Sequence, residues 1–406
     1  MTNVVTKNVL KHAGFQQALD HIDAGFDRFI AELITLTEIP APPFKEERKA
    51  AAYLEMMREA GLEEVASDEI GNVCGLIRGT GNDGYLVVAA HLDTVFPEGT
   101  DVTVRREGTK LFAPGIGDDT RGLAANLTLM RAIKQSGIRP KKTILFVGDV
   151  GEEGKGDLRG IRHLFTEGKY RDRIDAFISV DGPEMASIVN QAVGSYRYRV
   201  TFNGPGGHSY GAFGTVNPAY AMAEVLTGLS KLYLPTEPKT TATPSVFGGG
   251  TSINATPETV WFELDLRSLS QSELDRIDGE FHAMLENAVA AENARADISS
   301  GPVTVEARRI GHRPAGTVAA NSAIVTSSID AIKAFGFEPS LMASSTDANI
   351  PISLGVPAVC VGSGFGPDAG GRVHSLDEWI DVEREGQLKS LHALLAVVLS
   401  ITDLED

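Results

Sequence analysis

Three short runs in this chain are apolar on consecutive residues, and each is followed within a few positions by a histidine or an acid. Tyr85–Ala90 (YLVVAA) leads into His91-Leu92-Asp93, Thr143–Val147 into Gly151-Glu152-Glu153-Gly154, and Ala176–Val180 into Asp181-Gly182-Pro183. A strand that is apolar on both faces has to be covered on both faces, which a parallel sheet wrapped in helices provides. Helical spacing between the runs supplies the covers: Phe15–Glu38, stopped by Pro40; Glu46–Ala60, ended by Gly61; and Arg121–Gln135. In open α/β sheets the ligand site forms beyond the carboxyl ends of the strands. The polar residues of this chain gather at those ends.

Near Gln191 the pattern changes. Tyr196–Phe202 alternates as a half-exposed strand does, Asn217–Leu232 reads as a helix, and Ser245–Ile253 with Thr259–Leu266 predicts an antiparallel pair around an Asn254–Pro257 turn. A helix from Ser272 to about Ala294 and a strand over Val303–Ala307 complete this block. From Gly311 the α/β character returns, ending in a strand over Val356–Val361 and a helix over Glu383–Ile401. The expectation is an α/β fold whose mostly parallel sheet, flanked by helices, spans 1–190 and 312–406, with an α+β domain inserted over 191–311.

A length of 406 residues exceeds what one core usually organises, in keeping with two domains. The formal net charge of −17, with no run of Lys and Arg, argues against nucleic-acid binding, which needs a concentrated positive surface. Cys74 and Cys360 sit inside apolar stretches and read as buried thiols, not a disulfide framework. No stretch approaches the roughly 18 consecutive apolar residues of a membrane span. The first residues also lack the apolar run of a secretory signal, so a cytoplasmic location is expected.

Histidines mixed with carboxylates, without cysteine, suit zinc, manganese or cobalt. The candidates are more numerous than one tetrahedral ion needs and fit two ions that share a carboxylate. Pro114-Gly115-Ile116-Gly117-Asp118-Asp119 runs directly into a helix, and Gly362-Ser363-Gly364-Phe365-Gly366 precedes His374-Ser375-Leu376-Asp377-Glu378. Phosphate binding by the first loop is disfavoured, because two acids stand where phosphates would sit. No GxSxG elbow supports a serine hydrolase.

His-x-Asp, Gly-x-x-Asp-Asp before a helix, Glu-Glu-Gly, Asp-Gly and a late histidine, in this order, resemble the co-catalytic dinuclear zinc exopeptidases, the group of peptidase T, carboxypeptidase G and succinyl-diaminopimelate desuccinylase. The resemblance covers nearly the whole chain. It implies that His91, Asp118 and Asp181 hold one metal and Glu153 and His374 the second, with Asp118 bridging. Asp93 would orient the His91 ring. Glu152, binding no metal, would be the general base that takes the proton of a water and later delivers it to the leaving amine. The peptide Asp118–Asp119 is often cis in such relatives. An aspartate at the position of Asp181 accompanies aminopeptidases more than deacylases, so a peptidase T-like aminopeptidase is expected, with an N-acyl-amino-acid amidohydrolase or a carboxypeptidase G-like enzyme as the alternative. The familiar Lys-small-Gly after the two aspartates is replaced by Thr120-Arg121-Gly122.

In the inserted block, Gly204-Pro205-Gly206-Gly207-His208-Ser209 and Gly249-Gly250-Thr251-Ser252-Ile253-Asn254 resemble the family's lid motifs. They imply a homodimer formed through this domain, with His208 and Asn254 stabilising the oxyanion. Arg267 matches an arginine that grips a substrate carboxylate in relatives. Read alone, His208 is a loop histidine beside glycines, and Arg267 pairs with Asp265 or another acid. Asp347 is expected to be structural. A metal-binding protein without turnover is the rival from another class, and a non-ligating Glu152 argues against it.

Overall fold

The three apolar runs lie side by side in one sheet. The computed structural model describes residues 4–81 and 84–405, so the first three residues of the N-terminal stretch lie outside the described residues. In chain order the main strands are β1 (Glu63–Ser67), β2 (Val73–Ile77), β3 (Tyr85–His91), β4 (Thr143–Asp149), β5 (Ile174–Val180), β6 (Ser187–Ala192), β7 (Ser340–Ser344) and β8 (Ala358–Val361). Across the sheet the order is β1-β2-β4-β3-β5-β8-β6, with β7 beside β6. β3 is parallel to both β4 and β5, and β8 is parallel to β5. The margins are antiparallel, β2 against β4 and β8 against β6. Beyond them β7 runs parallel to β6. At the centre every residue of β3 and β4 is buried. Each Val or Leu buried there contributes about 1.5–3 kcal/mol.

The expected helices form where apolar spacing places them, with one break, and Val4–Lys11, Arg159–Thr166 and Ala323–Ala334 are helices the sequence reading did not place. The run Phe15–Glu38 is two helices, α2 (Ala13–Ala24) and α3 (Phe26–Thr37), preceded by α1 (Val4–Lys11). Gly25 breaks it: its backbone sits at φ −86° and ψ 1°, and its N–H is shared between the carbonyls of His21 and Ile22. Both pieces bury apolar residues, which is why the periodicity runs through the break. Helix α4 (Glu47–Glu59) follows. Helix α5 (Arg121–Ser136) is buried continuously from Arg121 to Ile133 and is the central helix of its layer. Its first turn lies so close to the end of β5 that a Cβ on Gly122 would come within 2.2 Å of the Val180 carbonyl and of the Asp119 carboxylate. Only glycine fits there.

The described residues divide into two compact units, one running to Ala192 and resuming at Thr317, the other being Val193–Gly316. The boundary expected at 311 falls later because the expected strand Val303–Ala307 is the longer Thr304–Arg313. The second unit is an antiparallel sheet of Thr240–Gly249, Thr259–Ser268, Gly194–Asn203 and Thr304–Arg313, in that order. Helices Pro218–Leu229 and Gln271–Arg295 share its core of Tyr198, Phe202, Phe262, Ile277 and Phe281. In the first unit a small sheet of three-residue strands joins Lys110–Phe112 to Trp379–Asp381, which brings the late segment beside the loop that opens α5. Cys74 and Cys360 are both free and buried. No described helix is long and apolar enough to cross a membrane.

Candidate metal centre

Because β4, β3 and β5 are parallel neighbours, their carboxyl ends open on one edge. His91 is the last residue of β3 and pairs in register with Asp149, the last of β4. Glu152 and Glu153 follow β4, and Asp181 follows β5. The Gly115–Thr120 loop supplies Asp118 across a cis Asp118–Asp119 peptide. Sequence-distant His374 completes the group. His91 Nε2 lies 2.9 Å from one Asp118 oxygen and His374 Nε2 lies 3.0 Å from the other. His374 Nε2 is also 2.8 Å from Glu153. The ligand atoms of His91, Asp118 and Glu153 all lie within 4.8 Å of one another, as do those of His91, Asp119 and Asp181. Glu152, buried like Glu153, is in neither group.

Asp93 acts differently from the expectation. The His91 Nδ1 atom lies 2.9 Å from the main-chain oxygen of Asp93 and 3.7 Å from its carboxylate. The carboxylate instead accepts the backbone N–H groups of Glu152 (3.0 Å) and Glu153 (2.9 Å). One residue therefore fixes both the histidine ring and the backbone of the two glutamates.

Apart from Asp347, expected to be structural, several buried charges around the site had no role assigned from the sequence. Glu378 accepts the N–H groups of Gly115 (2.9 Å), Gly117 (2.8 Å) and Asp118 (3.0 Å), pinning the loop that presents Asp118. Asp119 is fully buried; one oxygen accepts the His91 N–H at 3.2 Å and the other has no partner. Asp149 and Asp347 form a buried acid pair. Lys49, on α4, is buried and feels the charges of Asp93, Asp119 and Glu378. Asp149 stands at a strand end and Asp119 in a glycine-rich loop, but nothing in the sequence sets Lys49 and Glu378 apart.

The electrostatics describe a crowd of acids short of positive charge. Burial, followed by the charge of Asp118, pushes Asp181 well above the usual carboxylate range, and burial with the charge of Asp181 does the same to Asp119. Burial works against a charged His91, but its hydrogen bond to Asp118 and the surrounding acids override this and raise it well above its ordinary value. Hydrogen bonds to Asp118 and Glu153 raise His374 to about 10. Two imidazoles facing three carboxylates, with no thiol, form a donor set that suits divalent cations. A further carboxylate oxygen buried without a partner and the unfavourable proximity of the acids fit the same group.

These shifts predict the pH response of the metal-free protein. Burial raises both Asp149 and Glu378 to about 7, from ordinary values of 3.8 and 4.5. Between those limits the native state binds more protons than the unfolded chain, so stability falls as pH rises. The contribution of His374 is lost in the same direction, from its ordinary value of 6.5 toward 10. Thermal midpoints of chelator-stripped protein are expected to decline from pH 5 to 8, and added zinc is expected to flatten the decline. A midpoint that climbs across this window contradicts the assignment.

The lid residues lie in the second unit. Gly207–His208 pairs with Ala255–Thr256, and the Ser209 N–H bonds the Asn254 carbonyl at 2.9 Å. His208 and Asn254 thus line one hollow of about 570 Å³, with Glu258 and Trp261. His208 Nδ1 accepts the N–H groups of Tyr210 and Gly211, both at 3.2 Å, which leaves Nε2 as its outward nitrogen. Arg267 is paired with Asp265 at 2.7 Å within its own strand, which is the plainer of its two readings.

Residues 87–401 match the model of Peptidase family M20/M25/M40. Carboxypeptidase G2 of Pseudomonas sp. (strain RS-16) is 30% identical over 133 residues, a match that spans 32% of this chain and 32% of that enzyme. Among solved structures, aminopeptidase PepT from Bacillus cereus ATCC 10987 superposes with a TM-score of 0.74 at 21% identity, over 93% of this chain and 98% of that one. A dinuclear metal-binding peptidase of the M20 family from Bacillus subtilis gives 0.65 at 15% identity, over 93% and 99%. These structures share the fold, and the family match covers part of each segment of the first unit and the whole of the second. The chain belongs to peptidase family M20/M25/M40.

Proposed function

We propose that this chain is a metal-dependent exopeptidase that cleaves amide bonds of small peptides having a free amino terminus, with two zinc ions as its cofactors. The observation that carries the reading is the division of labour between adjacent glutamates. Glu153 turns to His374 within the ligand group, while Glu152 is buried beside it and outside both groups. Two divalent cations held by His91, Asp118, Asp181, Glu153 and His374 would supply the Lewis acidity that acidifies a water and polarises the scissile carbonyl. Glu152 takes the proton from the attacking water and delivers it to the leaving nitrogen. Asp93 holds Glu152 in place through its backbone N–H. His208 and Asn254 are proposed as donors to the oxyanion.

The second unit is proposed to carry a homodimer contact. Its edge strand Thr240–Gly249 exposes Val246 and Phe247, and Tyr210, Phe213 and Ile253 of the same unit are exposed as well. Apolar side chains of this size on an edge strand favour pairing with a second copy. A cytoplasmic location is proposed with it, in keeping with the two free, buried cysteines.

A second reading, a carboxypeptidase or N-acyl-amino-acid amidohydrolase, is favoured by the 30% identical stretch shared with carboxypeptidase G2. Hydrolysis of dipeptides and tripeptides compared with their N-acetylated forms separates the two. An aminopeptidase is expected to lose nearly all kcat/KM on acetylation. Faster cleavage of the acetylated set establishes the second reading.

A further inference from the structure

Arg121 is the departure from the family pattern that the proposed chemistry leaves unused, and it is the largest fully buried side chain of the described residues. It opens α5, directly after the loop that carries Asp118. Its Nε donates to the Ser363 hydroxyl at 3.0 Å, Nη1 to the Ala369 carbonyl at 3.2 Å, and Nη2 to the Gly182 carbonyl at 3.4 Å. Gly182 is the neighbour of Asp181, Ala369 stands at the head of the segment leading to His374, and Ser363 follows β8. Three ligand-bearing segments, distant in sequence, therefore meet at one guanidinium.

The surroundings are shaped to this group. A Cβ on Gly364 would lie 2.3 Å from the Pro183 carbonyl and 2.5 Å from Nη1, so the Gly-Ser-Gly turn is glycine where that backbone and the guanidinium both pack against it. Arg121 also lines a cavity of about 50 Å³ together with Asp118, Asp181 and Val373. It touches none of the ligand side chains. The charges of Asp119 and Glu378 offset part of the cost of burying its own.

We infer that Arg121 is a positioning residue of the metal centre, a three-way clamp that fixes the backbones presenting Asp181 and His374 relative to Asp118. A lysine cannot replace it, because one ammonium on a flexible stem does not reach three acceptors in different directions, as a planar fork does. The inference rests on the metallopeptidase reading, but it concerns affinity for the ions and not the reaction. Outer-shell partners of this kind are worth about 10–100-fold in metal affinity.

The test is zinc titration against a chromophoric chelator, using full-length protein at a temperature where each variant is folded by circular dichroism. Wild type is expected to bind two equivalents, and Arg121→Met and Arg121→Lys to bind them about 10–100-fold more weakly. A residue that only stabilises the fold would lower the thermal midpoint and leave zinc affinity unchanged. Affinity within twofold of wild type in folded Arg121→Met overturns the clamp. Should that variant not fold, Arg121→Lys decides the matter, and unchanged affinity in it overturns the clamp. Wild-type protein that takes up no zinc overturns the reading beneath the proposal and the proposal with it.

Discussion

A Glu152→Gln enzyme is expected to bind both metals as wild type does and to lose about 10²–10⁴-fold in kcat, the usual worth of general acid–base catalysis. Glutamine keeps the shape and the backbone hydrogen bond to Asp93, so the neighbouring Glu153 stays in place. What is lost is the carboxylate that accepts and returns a proton. The loss should fall on kcat with KM little changed, because the interaction is made in the transition state. Zinc stoichiometry measured beside the kinetics separates this account from damage to the site. Unchanged turnover in a fully loaded variant would remove Glu152 from the mechanism.

The second large effect is expected at Asp118. Its two oxygens face His91 on one side and His374 on the other, at 2.9 and 3.0 Å. Burial opposes its charge, yet hydrogen bonds from both histidines hold its carboxyl well below the usual range, so it enters the site as an anion. Asp118→Ala removes the carboxylate that faces both histidines and that is proposed to be shared by the two ions. Activity is expected to fall to background, with the affinity of both zinc ions reduced. Asp181→Ala, at one margin of the site, is expected to weaken one ion and spare the other. Loss of a single ion from Asp118→Ala would show that the carboxylate does not bridge.

Much of this site was legible in the sequence because a parallel sheet converts distance along the chain into proximity. His91, Glu153 and Asp181 each stand just past an apolar run, and the fold places those runs side by side. Asp118 and His374 were recognisable through motif order, not through any strand pattern. Asp93 was found, but its main partners are backbone N–H groups, which leave no mark on residue identity. Glu378 and Asp119 look in the sequence like ordinary members of acidic pairs, Asp377-Glu378 and Asp118-Asp119. Burial alone distinguishes Glu378 from its exposed neighbour, and burial is a product of tertiary packing.

The fold was less completely legible at its margins. The strand Ser340–Ser344 was missed because it lies at the sheet margin and is largely exposed, where no strong alternation is imposed. Ser187–Ala192, paired on both sides, was missed because its run SIVNQA mixes polar and apolar residues without a period. The small sheet holding Trp379–Asp381 is built of two- and three-residue strands, too short for any period to register. Gly25 was hidden inside a run whose apolar spacing continues across the break. Arg121 was noticed only as a departure, since nothing in a sequence states that two carbonyls and a serine hydroxyl from separate loops converge on one guanidinium.

Peptide hydrolysis before and after metal exchange tests the central claim most directly. Protein stripped by chelator and then resupplied with zinc, manganese or cobalt would be assayed on free-amine dipeptides and tripeptides and on N-acyl amino acids. The account predicts background activity in the stripped protein and recovery of peptide cleavage as two equivalents of metal are restored. Stripped protein that cleaves as fast as the loaded enzyme, or two bound ions with no amide cleaved anywhere in the panel, would contradict it.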